Sequence, residues 1–338
     1  MAVNTIDDFV SELKTEGWCL FEDVIRADRI DAIREEVVSG NAQAIADYDA
    51  WGGSWVQQKG PNGEPGTCLV AYVPSLAACF ADERVLGVAR AMLDPHVRIS
   101  QTEFKTCPPN AQEANRRSWH SDFPHDLTDR ERAGAVRMPF PNVTMGLTAL
   151  WILSPFSPDN GGTWIVPRSH LDLRNPRSHL DSRNPPELHD DVPVNESIPG
   201  EIQLSGPAGS VVMIDSRVWH SAAGNPSPEP RVAVLTRYSP WWMNLEFGGR
   251  NRAIVPRKTY ETMPDAVKLL YRHRAEGESD PIRLAHEATP PASGNICWNT
   301  KWRSRRQRTI LRELWPLTIF PGPALAIASE NGKHGSMR

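Results

Sequence analysis

Apolar residues in the first hundred positions recur at helical spacing. From Thr5 to Glu16, Phe9, Val10 and Leu13 share one face, Thr5 with Asp8 three residues on forms a capping pair, and Gly17 supplies a stop. The pattern predicts a helix there, a short apolar strand at Trp18–Phe21, a second helix from about Arg26 to Ser39, and a third amphipathic segment over residues 82–93. From Val97 the period changes. Short apolar runs separated by Pro, Gly and Asn predict seven strands: Val97–Lys105, Ser118–Phe123, Val143–Leu153, Thr163–Val166, Glu201–Leu204, Ser210–Ile214 and Arg231–Tyr238. Such a series points to a sandwich or barrel, of which the jelly roll is one form. A helix near Asp265–Arg274 and an irregular tail follow Pro240. The predicted class is therefore mainly β with flanking α-helices. No Pro/Gly/Ser linker separates two equal cores, so residues 1–338 read as one domain, with a core over about 5–245 and a helical or irregular extension over 246–338.

Composition narrows the class. A hydrophobic fraction of 40% and a charged fraction of 23% suit a chain with a sizeable core and exclude disorder over most of its 338 residues. The 30 prolines fit short strands and loops better than long helices, and the 12 tryptophans suit a lined pocket. A net charge of −4 gives no general attraction to nucleic acid. No apolar run reaches about 18 residues; the nearest, Pro316–Ala328, is interrupted by Pro321 and Pro323. Neither a nucleic-acid nor a membrane partner is expected. The five cysteines are scattered, without CxxC spacing, so they read as free thiols. The first residues lack a basic start followed by an apolar stretch, and a cytoplasmic protein is the default expectation.

Two local features stand apart. Residues 169–177 (SHLDLRNPR) recur as 178–186 (SHLDSRNPP), a tandem copy read as a duplicated surface loop. The basic run Lys301–Arg312 reads as a solvated face.

The chemistry concentrates in three blocks. His120 and Asp122 stand two residues apart in RSWHSDF; on a strand that spacing puts both side chains on one face, where they can close on one metal ion. A third ligand must come from a distant strand. His220 ends the apolar run SVVMIDSRVWH, and Arg231 follows eleven residues later at the start of RVAVLTRY. A turn rich in Gly, Asn and Pro between them would make their strands antiparallel neighbours and aim Arg231 into the same cavity. Two histidines and one carboxylate leave open positions on one side of a metal, the facial triad of non-haem Fe(II) oxygenases. A buried guanidinium beside it suits one carboxylate of 2-oxoglutarate. His170 reads as structural, and His125, His179 and His189 as solvated loop residues.

With NGGTWIVPRSH at 160–170 between WHSD and the His220–Arg231 stretch, the chain resembles the phytanoyl-CoA dioxygenase-like (PhyH) family of Fe(II)/2-oxoglutarate oxygenases over roughly residues 5–245. The resemblance implies a double-stranded β-helix (jelly-roll or cupin-like) core. It implies that His120, Asp122 and His220 ligate Fe(II), that Arg231 holds the distal carboxylate of 2-oxoglutarate, and that Thr163 sets a hydroxyl against the same acid. Where several relatives carry a glutamine ahead of the HxD histidine, this chain has Arg117 and Ser118, which makes Arg117 the candidate for the contact at the keto-acid end. Arg168 stands where the family's PGSH turn has glycine, an expected change of turn shape. The implied reaction consumes O2 and 2-oxoglutarate and oxidises an unactivated C–H bond of a small molecule, by hydroxylation, desaturation or ring closure, as in secondary-metabolite tailoring. Arg117, Arg237 and Arg250 are candidates to meet a substrate carboxylate. The alternative is a jelly-roll metal protein without redox chemistry or a cupin-like isomerase, neither of which needs Arg231 as a clamp. The sequence leaves the oligomeric state open.

Overall fold

The computed structural model describes residues 4–50, 69–113, 115, 117–123, 143–172, 176, 195–243 and 255–277. All lie within one unit, Met1–Arg283; a second unit, Leu284–Arg338, falls outside the described residues, as does the basic run Lys301–Arg312. Most of the 169–186 duplication also lies outside them. No helix among the described residues is long and apolar enough to cross a membrane.

The N-terminal prediction matches the structure closely. Helix α1 (Ile6–Glu16) starts at a capping box in which Thr5 and Asp8 satisfy each other's backbone N–H, and Gly17 ends it in the left-handed conformation at φ 83°. Phe9 and Leu13 form its buried face. Strand β1 (Trp18–Phe21) follows, then α2 (Ala27–Ala50), which runs well past the expected end at Ser39. A short α3 (Pro74–Ala77) leads to α4 (Glu83–Met92), capped by the Asp82 side chain on the N–H groups of Arg84 and Val85.

Seven more strands follow: β2 (Val97–Phe104), β3 (Leu147–Ile152), β4 (Trp164–Val166), β5 (Ile202–Gln203), β6 (Val211–Asp215), β7 (Trp219–Ser221) and β8 (Ala233–Pro240). Helices α5 (Arg257–Thr262) and α6 (Asp265–Tyr271) come last. One sheet has five strands in the order β1-β6-β3-β8-β2, the other three in the order β5-β4-β7, and every pairing is antiparallel.

Strand alternation divides the large sheet cleanly between two apolar clusters. Val211, Met213, Leu147, Ala149, Trp151, Val234 and Tyr238 point outward into a cluster shared with the helices. Val212, Ile214, Leu150, Ile152, Ala233 and Leu235 point inward and meet Ile165, Leu204 and Phe156 beside the small sheet. The protein is thus sheet-rich, with helices on one side of the large sheet and the small sheet on the other.

One predicted strand is corrected. Ser118–Phe123 is irregular chain, carrying only an isolated bridge between His120 and His220. The predicted strand Ser210–Ile214 is present as β6, and the run that ends at His220 continues beyond it. It breaks after Asp215, whose carboxylate accepts hydrogen bonds from the Arg217 backbone N–H (2.9 Å), Nε (3.0 Å) and Nη2 (2.9 Å), and from Thr144 Oγ1 (2.7 Å). This buried ion pair, with both side chains under 4% exposed, turns the chain out of the large sheet, so that β7 belongs to the small one.

Trp151 anchors the outward cluster. It is fully buried, packs against Phe80 at 5.1 Å between ring centroids, and donates Nε1–H to Thr236 Oγ1 at 2.9 Å. Trp151→Ala should cost about 3–5 kcal/mol of stability in urea denaturation through the cavity it opens, with Trp151→Phe, which loses mainly the hydrogen bond, costing less.

Candidate metal centre and co-substrate site

His120, Asp122 and His220 converge where the irregular segment 117–123 meets β7. The backbones of His120 and His220 exchange two hydrogen bonds, N to O, of 3.0 and 2.8 Å, which locks the two residues side by side. Their rings lie 4.2 Å apart between centroids. Each Nδ1 is within hydrogen-bond distance of a backbone carbonyl two residues back: Ser118 at 3.0 Å for His120, Val218 at 2.9 Å for His220. Donation there fixes the tautomer and leaves Nε2 as the ring atom available to a metal. One donor atom from each of the three residues lies within 4.8 Å of the other two. The HxD pair therefore gathers around one point, though not by the strand alternation that its spacing suggested.

The electrostatics suit metal ligands. Burial, then the neighbouring His220, pushes the His120 imidazole down to about 4, so it is neutral near neutrality, as a ligand must be. Burial acts to raise Asp122, but Arg237, the two imidazoles and the Thr148 hydroxyl outweigh it, and the carboxyl sits well below the usual carboxylate range. Arg237 Nη2 is 2.7 Å from Asp122 Oδ1, and Thr148 Oγ1 donates to Oδ2 at 2.8 Å.

Arg231 does not lie on a strand neighbouring His220. Its backbone bridges Cys107, with N–H···O bonds of 2.9 and 2.8 Å, just before β8 enters the large sheet, whereas β7 pairs with β4. The intervening loop is organised by the buried Asn225. Its Nδ2 donates to the carbonyls of Cys107 (3.1 Å) and Glu229 (2.7 Å), and its Oδ1 accepts from Ser227 N (3.0 Å) and Oγ (2.7 Å). Gly161, at φ 75°, backs onto Gly224 and Asn225 so closely that a Cβ there would collide with the Gly224 carbonyl. Arg231 itself is 5% exposed, with its guanidinium 4.5 Å over the Phe156 ring. Its Nε and Nη1 are buried and have no hydrogen-bond partner among the described residues. A buried guanidinium left this way is rare and unfavourable unless an anion completes it.

The remaining candidates separate. Thr163 is half-buried in the turn after the two glycines, and its carbonyl accepts from Leu204 N at 2.9 Å. Arg117 is already engaged. It places Nε (2.9 Å) and Nη2 (2.6 Å) on Glu201 Oε1 and lies 4.1 Å over the Trp164 ring. Arg237 faces Asp122 rather than standing free for a substrate carboxylate. His170 is buried, with Nε2 3.1 Å from the Lys14 carbonyl, in keeping with a structural residue. Arg168 occupies the left-handed region at φ 68°, the conformation glycine favours, and its side chain reaches Glu16 at 2.6 Å. Trp119 and Trp151 are core residues, while Trp242 is 54% exposed. His125, His179, His189 and Arg250 lie outside the described residues.

Reasoning from the sequence missed the β2 contribution and Thr148. Gln101 and Glu103 on β2, with Lys105 just past its end, alternate on the inward face, because Gln101 pairs with Arg237 and Glu103 with Leu235. Three polar residues at every second position of a strand that ends a sheet were the available signal.

Residues 13–233 match the phytanoyl-CoA dioxygenase (PhyH) family. The chain is 26% identical over 236 residues to an ectoine dioxygenase of Sphingopyxis alaskensis, covering 66% of this chain and 72% of that one. It is 25% identical over 242 residues to the dioxygenase af480 of Aspergillus fumigatus, covering 69% and 66%. Among solved structures it is similar to EctD from S. alaskensis with bound Fe, at 22% identity and a TM-score of 0.46, covering 68% of this chain and 75% of that one. With the family match spanning most of the chain, this protein belongs to the phytanoyl-CoA dioxygenase (PhyH) family of Fe(II)/2-oxoglutarate-dependent oxygenases.

Proposed function

We propose that His120, Asp122 and His220 hold Fe(II) and that Arg231 takes the distal carboxylate of 2-oxoglutarate, within a double-stranded β-helix core. The observation that carries this reading is the buried Arg231 guanidinium with two nitrogens unpartnered among the described residues, in a chain that also gathers a His/Asp/His cluster. The donor set fits the metal: two imidazoles with Nδ1 on backbone carbonyls, His120 held neutral, and one ionised carboxylate. The orphaned guanidinium fits a carboxylate that would complete its hydrogen bonds.

Bound there, Fe(II) with 2-oxoglutarate and O2 supplies the power to break an unactivated C–H bond, as 2-oxoglutarate leaves as succinate and CO2. The chain's own residues orient and enclose. The His120–His220 backbone pair fixes the two imidazoles relative to each other. The Asn225 loop sets where Arg231 begins, and Phe156 shields its guanidinium on one face. Leu150, Leu235 and Ile165 supply a dry wall between the sheets. The substrate is a small molecule, and the reaction a hydroxylation, desaturation or ring closure in secondary metabolism. Relatives named for ectoine support a compact substrate.

Two measurements test this. Anaerobic addition of Fe(II) and 2-oxoglutarate to the metal-free protein should give a weak visible charge-transfer band that Asp122→Ala abolishes; no band in the wild type would sink the reading. Arg231→Ala should raise the KM for 2-oxoglutarate at least about 30-fold in a succinate-release assay, the cost of an unpaired buried charge, while Fe(II) binding persists. An unchanged KM would take the clamp away from Arg231.

A further inference from the structure

Asp122 differs from its two companions in how it is held. His120 and His220 are fixed by a backbone bridge and by carbonyls at their own Nδ1 atoms. Asp122 lies in irregular chain beyond that bridge, and its side chain takes its orientation from the large sheet. On the inward face of β8, the alternation Ala233, Leu235, Arg237 ends an apolar series in a cation that is 4% exposed. Register places Arg237 opposite Thr148 on β3 and opposite Gln101 on β2, a polar row across three strands. From that row, Arg237 Nη2 reaches Asp122 Oδ1 at 2.7 Å and the Thr148 hydroxyl reaches Oδ2 at 2.8 Å, with Arg237 Nε 3.5 Å from the same hydroxyl. Each carboxylate oxygen thus has its own donor on a rigid strand. Oδ1, the oxygen that Arg237 meets, is also 3.8 Å from His220 Nε2.

We propose that Arg237 is a positioning residue for the metal: it fixes the plane and rotamer of Asp122 and offsets its buried charge, so that the carboxylate is already turned toward the two imidazoles before an ion arrives. This rests on the reading of His120, Asp122 and His220 as the metal ligands. A carboxylate has about four lone-pair sites, so two donors still leave it room to ligate. Partners that orient a metal ligand characteristically affect metal affinity by about 10–100-fold. An arginine suits the task because its planar fork defines an orientation, where a lysine offers only a point charge.

The test is titration of the metal-free full-length protein with Co(II), followed by its visible d–d bands, in wild type, Asp122→Ala, Arg237→Gln and Arg237→Lys, with thermal unfolding of each metal-free protein alongside. Wild type should take up one Co(II), and Asp122→Ala should not. Arg237→Gln should bind about 10–100-fold more weakly with shifted bands, and Arg237→Lys should fall between, losing at least about threefold. If wild type binds no Co(II), the ligand assignment fails and the inference with it. If wild type binds and Arg237→Gln binds as tightly or more tightly with the same spectrum, the ligands stand and Arg237 has no positioning role. Should Arg237→Gln fail to fold, the lysine variant decides: a loss of affinity with shifted bands supports the role, and wild-type affinity and spectrum overturn it.

Discussion

A carboxylate enclosed between two β-sheets sets the terms for the rest of this molecule. Leaving Asp122 ionised in such surroundings would cost several kcal/mol without compensation. The compensation is built from far along the chain by Thr148 from β3 and Arg237 from β8, with the two imidazoles beside it. Thr148 and Arg237 are delivered to the same side of the large sheet by strand alternation. The apolar residues between them, such as Leu150 and Leu235, keep that side dry. Charge placement and sheet packing are therefore one problem, because a slip of one residue in β8 would turn Arg237 to the helices and bring Thr236 or Tyr238 inward.

A second buried pair, Asp215 with Arg217, does different work. It satisfies its own charges within two residues and turns the chain between sheets. Without that corner the apolar run would continue in the large sheet, and His220 would not meet His120. The loop that follows is ordered by Asn225, whose amide spends all of its described bonds on backbone and on Ser227. Gly161 permits the close approach of the turn before β4. The interval from His220 to Arg231 is thus a built structure, and Arg231 enters the interior from a backbone bridge to Cys107.

Much of this was legible in the sequence where the signal is local. Thr5, Asp8 and Gly17 bound α1 because caps act within a few residues. The order of the HxD pair, the glycine turn, His220 and Arg231 pointed to the candidate site without any knowledge of pairing, and His120, Asp122 and His220 do come together. What stayed hidden depends on register across strands. Asp215, Ser216 and Arg217 mark a break in the run, but that the chain then joins β4 in the other sheet depends on pairing. The engagement of Arg117 by Glu201 joins residues more than eighty positions apart. Arg237 was visible as a cation near the site, but whether it faced a substrate or Asp122 depended on its pairing with Thr148.

The sheet order carries one more consequence, for how the chain is made. β1 is complete within the first 21 residues, yet its partner is β6, with Trp18 opposite Ile214, roughly two hundred residues later. β2 waits similarly for β8. Contacts of such long sequence separation slow folding, because loop closure must precede their reward. During synthesis the apolar strands at the N-terminal end therefore emerge long before the segments that cover them. The last of those segments is β8, which also brings the counter-charge of Asp122. The large sheet and the carboxylate at its inner face are completed in the same late event, so a chain cut short before β8 has neither.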